Sequence, residues 1–383
     1  MKTIYLDYNS TSPLHSEVRE KILPFLSGSF GNPSSLHAEG RRARSAIENA
    51  RTAVLKALGD LKGKLVFTAG GTEAGNLALE GAAGALRSKG RHLVVCSVEH
   101  NAVLQTARAL EQEGAPLTVV PVDGAGRVDP GAVARAIRPD TALVSIMQAN
   151  NEVGVIQPIE EIGRIAREKG VLFHTDAVQS FGKIPLDVGR MPVDLVSISA
   201  HKLGGPKGAG ALYLREGIKL QPMIHGGPQE KGFRAGTENV IGIVGLGAAV
   251  EATWREKENG ALDRIEKLRD RLENGLKERV KNVVGNGCAA ERVPGTAHLS
   301  FLGCDRDSLL MALDRVGICA SAGSACVSGS TQPSHVLVAM GLSPERIRGG
   351  IRFSLGWGTT EEDIEEALTI IPPVIERVRA AHD

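Results

Sequence analysis

The sequence predicts an α/β protein. A large domain built on a mainly parallel sheet covered by helices is joined by a smaller α/β domain. Three observations carry this reading. Short apolar runs alternate with helical stretches from Leu65 to Leu214, the pattern of strands buried on both faces. The character changes after Val240, where two long helical stretches lead into a second, shorter alternation. Finally, 383 residues exceed one ordinary core.

Taken in order, Tyr5 to Thr11 is an extended entry segment and Ser16 to Leu26 a helix. Gly31-Asn32-Pro33-Ser34-Ser35-Leu36-His37 is too rich in turn formers to be a strand. Ala43, Ile47, Ala50, Val54 and Leu58 then recur at helical spacing, placing a long helix over 39–58. Strands follow at 65–68, 92–97, 117–121, 142–147, 171–175, 195–199 and 211–214, with helices at 72–86, 101–113 and 159–169 between them. Helical stretches at 241–257 and 262–279 come next. The second alternation is a strand at 296–301, a helix at 306–315, strands near 318–321 and 350–354, and a last helix broken by Pro372-Pro373. Residues 14–257 are assigned to the large domain, and 1–13 with 258–383 to the small one.

Composition narrows the class. A hydrophobic content of 42% and a net charge of +1 fit a soluble globular protein, with no bulk attraction to nucleic acid or membrane. No run approaches the roughly 18 apolar residues of a membrane span. Met1 to Asp7 carries no signal-peptide core, and five cysteines, an odd number widely spread, point to free thiols in a reducing cytoplasm. No metal-ligand spacing is expected. Only 3% of residues are aromatic, so a planar cofactor would find few rings to stack on.

The chemistry concentrates where apolar runs stop. Leu195-Val196-Ser197-Ile198-Ser199-Ala200-His201-Lys202 reads as a buried strand delivering a lysine, whose lost hydration frees its amine as a nucleophile. Upstream, Val171 to Thr175 delivers Asp176 in the same way. A carboxylate and an amine at neighbouring strand ends match pyridoxal phosphate: the lysine forms the Schiff base and the aspartate keeps the pyridine nitrogen protonated. Either residue alone is more often a surface lysine or a helix cap. Thr68-Ala69-Gly70-Gly71-Thr72-Glu73 joins a strand to a helix start whose free N–H groups suit a phosphate, though Gly-Gly-Thr is also an ordinary junction. His100 closes the next strand, as a cap neighbour or as a ring to stack on a cofactor. Asn150 falls in a polar cluster after the strand ending near Met147.

Cys326 stands among small residues in Gly323-Ser324-Ala325-Cys326-Val327-Ser328-Gly329, where a travelling nucleophile would be free to move. Cys96 and Cys319 sit among apolar neighbours, and Cys288 has no chemistry around it. Arg352 is a charge inside an apolar strand, for which a substrate carboxylate is the natural bidentate partner.

Taken together, Thr175-Asp176-Ala177-Val178-Gln179, Ser199-Ala200-His201-Lys202, Arg234-Ala235-Gly236-Thr237-Glu238-Asn239 and Gly323-Ser324-Ala325-Cys326 resemble a cysteine desulfurase of the nitrogen-fixation and iron–sulfur-assembly type. That group lies within the class V aminotransferases of fold type I, whose large domain carries a seven-stranded type of sheet. The resemblance spans essentially the whole chain. It implies a pyridoxal-phosphate homodimer converting L-cysteine to L-alanine, with the sulfur left as a persulfide on Cys326. It implies that Lys202 is the Schiff-base lysine, that Asp176 pairs with the pyridinium and that His100 stacks on the ring. Gln179 would bond the phenolic oxygen, and Asn150 would lie beside ring and substrate. Gly71, Thr72, Ser199 and His201 would hold the phosphate, joined by Thr237 of the other subunit. Arg352 would grip the substrate carboxylate, and Asn32 and His37 would line the entrance. The long cysteine loop matches the group in which that loop is mobile, a sulfur-accepting scaffold protein is the implied partner, and the C-terminal tail is short. Two other readings stand beside this one. The chain could be a selenocysteine lyase or another class V enzyme, or a non-catalytic scaffold carrying sulfur on Cys319 and Cys326; the latter has no use for Lys202 and Asp176.

Overall fold

The computed structural model of the chain describes residues 2–323 and 332–381. Its largest sheet has seven strands in the order Lys64–Thr68, Gly210–Leu214, Leu195–Ser199, Leu172–Asp176, Thr141–Ser145, His92–Cys96, Leu117–Val120. All run in one direction except Gly210–Leu214, which is antiparallel to both neighbours. The carboxyl ends of the parallel strands therefore share one edge, where such sheets bind ligands.

Alternation along the strands builds two cores. Leu93, Val95, Leu143, Leu195 and Leu212 turn to one face, against Gly71–Ala85 and Asn101–Gln112. Val94, Val144, Phe173, Val196, Ile198 and Tyr213 turn to the other, against Ala38–Leu58, Ile159–Glu168 and Val240–Glu258. Each fully buried aliphatic side chain contributes roughly 1.5–3 kcal/mol. The Ala38–Leu58 helix shows how local chemistry supports this packing. The His37 Nδ1 accepts from the Gly40 N–H at 3.3 Å, and Gly59, at φ 80°, ends the helix in the left-handed conformation.

A third core gathers Ile4 and Leu6 with Leu268, Leu272, Phe301, Phe353, Ile364, Leu368 and Ile371. It lies on an antiparallel sheet of Gly350–Ser354, Thr296–Phe301 and Val283–Gly285, while Ile4–Tyr5 pairs in parallel with Ile318–Cys319. The N-terminal strand thus packs with the last third of the chain. His335–Ala339 does the reverse: Val336 and Leu337 join a core of the large sheet.

Some boundaries differ from those the sequence predicts. Asp176 is the last residue of its strand rather than a residue beyond it. The final helix, Glu361–Ala380, runs through Pro372 and Pro373 without a break. Ile364, Leu368 and Ile371 before the prolines and Val374, Ile375 and Val378 after them share one buried core, and that packing outweighs the penalty of about 3 kcal/mol for an internal proline. Pro130–Ala136 is an unforeseen helix, capped by Asp129, with proline in its first turn.

Candidate active site

At the carboxyl edge of the sheet lies a cavity of about 240 Å³, lined among others by Gly71, Thr72, His100, Asp176, Gln179, Ser199, His201, Lys202 and Arg352. Nine of the residues singled out in the sequence thus meet in one space. Its floor comes from adjacent strand ends. Asp176 and Ser199 close neighbouring strands, and Lys202 follows in a single 3-10 turn over Ala200–Lys202. The Lys202 Nζ donates to the carbonyl oxygens of Asn9 at 2.5 Å and Ser10 at 2.7 Å. Asp176 Oδ1 accepts from the Val178 N–H at 2.9 Å. Burial pushes the Asp176 carboxyl above the usual carboxylate range, against the pull of His100, the Val178 N–H and Lys202. A cationic partner arriving in the cavity would therefore relieve a buried carboxylate.

One end of the cavity suits an anion. The Gly71–Ala85 helix starts here without a side-chain cap, so its first N–H groups and positive dipole end are available. Gly71 packs so tightly that a Cβ there would meet Val178 Cγ2 at 2.6 Å, whereas a Cβ on Gly70 would meet open space. Ser199 and His201 add a hydroxyl and an imidazole beside it. The His201 ring lies 3.2 Å from Thr11 Oγ1, and burial, Lys202 and Lys207 bring its pKa down to about 4. It is a neutral donor or acceptor at physiological pH.

His100 is itself the N-cap of Asn101–Gln112. Its Nδ1 accepts from the Ala102 N–H at 3.1 Å, which fixes the ring at the cavity wall. Arg352 is 1% exposed in the strand Gly350–Ser354. The structure supplies it with an internal counter-ion that the sequence does not reveal. Its guanidinium donates to Asp7 Oδ1 at 2.8 Å, Ser10 Oγ at 2.7 Å and the carbonyl oxygens of Asn151 at 2.8 Å and Gly323 at 3.1 Å. Arg352 Nε has no partner. The charge is compensated, and a substrate carboxylate would share or displace Asp7.

Other residues singled out in the sequence are not brought to the cavity. Asn150 is 0% exposed, its amide spent on the Val98 carbonyl and on the N–H groups of Glu152 and Val153, so it shapes the loop while Asn151 and Glu152 line the space. Asn32 caps its own loop through Ser34, and His37 caps a helix. Thr237 lines a separate depression with Arg234, Glu238 and Asn239. Cys326 lies outside the described residues; Gly323 and Ser334, on either side of that segment, both approach Glu152, Ser334 Oγ donating to its Oε2 at 2.5 Å. Cys288, far from isolated, donates to Glu273 at 3.0 Å beside Lys277 and Arg292.

Sequence reading misses Asn9, Ser10, Lys183 and His335, while Asn151 and Glu152 belong to the polar cluster that it places on the ligand rim. Polar residues in loops give no local signal until the fold carries them to the strand ends. Among the described residues there is no cluster arranged to hold a metal ion, and no helix is long and apolar enough to cross a membrane.

A strand-end lysine and carboxylate facing one cavity, with an uncapped helix N-terminus at its end, define an α/β enzyme site for a phosphorylated aromatic cofactor. The chain belongs to the class-V aminotransferase family, whose pattern it matches over residues 4–367. It is 48% identical to the cysteine desulfurase IscS of Dictyoglomus turgidum over 99% of this chain and 96% of that protein. The IscS of Methanosarcina thermophila is 47% identical, with 99% and 93% covered. A solved NifS-like protein superposes with a TM-score of 0.91 at 37% identity, covering 98% of this chain and all of that one.

Proposed function

We propose that this chain is a pyridoxal-phosphate-dependent cysteine desulfurase that converts L-cysteine to L-alanine and passes the sulfur on for iron–sulfur cluster assembly or related thiolation. The carrying observation is the meeting of Lys202, Asp176 and the uncapped Gly71–Ala85 N-terminus in one cavity. The donor set fits the cofactor: Lys202 offers the amine for its aldehyde, and Asp176 a buried carboxylate for its ring nitrogen. Gln179 would bond its phenolic oxygen, and Gly71, Thr72, Ser199 and His201 would hold its phosphate. When bound, it supplies an electron-accepting ring that weakens bonds at the substrate carbon bearing the amine.

The chain's own residues do the rest. Arg352 binds and orients the substrate carboxylate, bidentate geometry adding specificity to charge. His100, anchored as a helix cap, holds or moves a proton at its Nε2. Asn9, Ser10 and Glu152 wall the cavity from water. Cys326 takes the sulfur: the substrate Cβ–S bond breaks, an S–S bond forms at the thiolate, and the carbon takes up a proton to leave as alanine. The chain divides at residues 14–257 against 1–13 with 258–383, the smaller part covering the strand ends. It works as a homodimer, Thr237 completing the partner's phosphate site. Exposed Phe30 and Leu36, next to Asn32 and His37, support a covered face there. The sulfur goes to an acceptor scaffold protein, and the four described cysteines, all free, suit a reducing cytoplasm.

The test is spectroscopic and catalytic. The purified protein is expected to be yellow and to release alanine from L-cysteine. Asp176→Asn keeps the cofactor but loses turnover by orders of magnitude, each tenfold being about 1.4 kcal/mol of barrier. A colourless protein that cannot be reconstituted, or wild-type turnover in Asp176→Asn, would defeat this reading.

A further inference from the structure

We propose that Lys183 is a positioning residue that locks the Gln179 amide with its NH2 end turned toward the cofactor. This rests on the pyridoxal-phosphate reading above and names a device within it. Lys183 lies one turn beyond Gln179, in the segment that follows the strand Leu172–Asp176. Its Nζ donates to Gln179 Oε1 at 3.1 Å and reaches toward Asn9 Oδ1 at 3.4 Å. A lysine ammonium carries three donors and no acceptor, so only the amide oxygen can face it. The Gln179 NH2 must then turn the other way, and its Nε2 donates to the Asn9 carbonyl oxygen at 2.8 Å. That same carbonyl accepts from Lys202 Nζ. Lys183, Gln179, Asn9 and Lys202 thus form one closed network, and the NH2, with one N–H on Asn9, keeps a second N–H, the kind of donor that a phenolic oxygen requires.

The network is held firmly. Gly182, just before Lys183, sits at φ +79° against the Val240–Glu258 helix, where a Cβ would meet Thr253 Cγ2 at 2.7 Å. Lys183, itself half-buried, lines with Lys202 a small, mostly apolar cavity that His15, Glu256 and Lys257 also border. Burial, with Lys202 and Arg352 nearby, brings the amine's pKa down to about 7. Above that pH a neutral amine has a lone pair and can accept from the amide NH2 as well as donate. The lock then loosens.

The assignment is tested on cofactor-loaded protein by following the visible absorption band against pH and the retention of pyridoxal phosphate on dilution. Lys183→Met keeps the stem and removes every donor. It is expected to shift the band's pH midpoint and weaken cofactor retention about fivefold, the equivalent of one neutral hydrogen bond. Lys183→Arg, still a donor without an acceptor, restores the band and abolishes any step near neutral pH. In a Gln179→Leu background, Lys183→Met adds nothing, because the two act through one contact. If Lys183→Met does not fold, Lys183→Gln, which can accept as well as donate, gives the same shift. A Lys183→Met or Lys183→Gln protein with the wild-type midpoint, or an equal shift with and without Gln179, overturns the assignment. A wild type that never turns yellow overturns the desulfurase reading and this assignment with it; a yellow wild type with an indifferent Lys183 overturns this assignment alone.

Discussion

The floor and the far wall of the cavity handle buried ionisable groups in opposite ways. On the floor, burial dominates. Asp176 is pushed upward; of two fully buried groups that do not line the cavity, Glu99 is pushed well above its ordinary range with only the Met147 N–H opposing, and His174 is brought down to about 3. Each of these shifts favours the neutral form. On the wall, the Arg352 charge is compensated by Asp7, Ser10 and two backbone carbonyls that surround it. The difference lies in the backbone. Parallel strands place side chains in a dry layer between helices, with few acceptors to spare. The wall is built from loops whose carbonyls remain available to a guanidinium.

Breaking the wall is expected to have the largest effect. Asp7→Ala leaves Arg352 buried without its counter-ion and should destabilise the protein by about 3–5 kcal/mol in denaturant titrations. The Asp7→Leu, Arg352→Met pair should lose much less than the sum of the single changes, because neither charge is then stranded. Additive losses would mean that the two charges do not depend on one another.

The strands beneath give a pH signature instead. His174, bonded to Ser145 and Ser197 by its two ring nitrogens, has a folded pKa far below the unfolded value of about 6.5. Between those values the unfolded chain binds more protons, so stability is full above about pH 6.5 and drains away as pH falls. The loss should be on the order of 3 kcal/mol by about pH 4. His174→Gln should flatten this acid limb; an unchanged limb assigns the titration elsewhere.

Glu99 gives the smallest effect and the opposite sign. Its carboxyl, with Oε2 unpartnered, holds its proton better folded than unfolded, so it draws stability down as pH rises through and beyond the unfolded value of about 4.3. The stability of Glu99→Gln relative to wild type should therefore grow from pH 4 to pH 8. A constant difference across that range would show that Glu99 is not protonated in the folded protein.

What is legible in the sequence follows from chain-local physics. Strand periodicity, and the polar residues that end each apolar run, are enough to put Asp176, Ser199 and Lys202 at one edge of a sheet. Gly70-Gly71-Thr72 marks the helix start, and His100 stands beside the next one, although only the fold makes it the cap itself. Arg352 is an anomaly that periodicity exposes, yet its first partner is Asp7 rather than a substrate. Asp7 lies 345 residues away in sequence, and its pairing depends on the N-terminal segment returning to the last core. Asn150 stands out for its polar neighbourhood, which does not tell a loop-stapling amide from a cavity-lining one.

The sequence by itself determined the α/β class, the strand-end placement of the lysine and the aspartate, and the glycine turn that opens a helix. Those depend on periodicity, turn chemistry and burial, which act over a few residues. The tertiary structure alone decided which distant loops wall the cavity, that Arg352 already has a counter-ion, that Lys183 and Asn9 tie Gln179 to Lys202, and that the last helix survives its two prolines. Each of these is set by contacts between residues far apart in the chain, where packing and the pairing of buried polar groups override local preference.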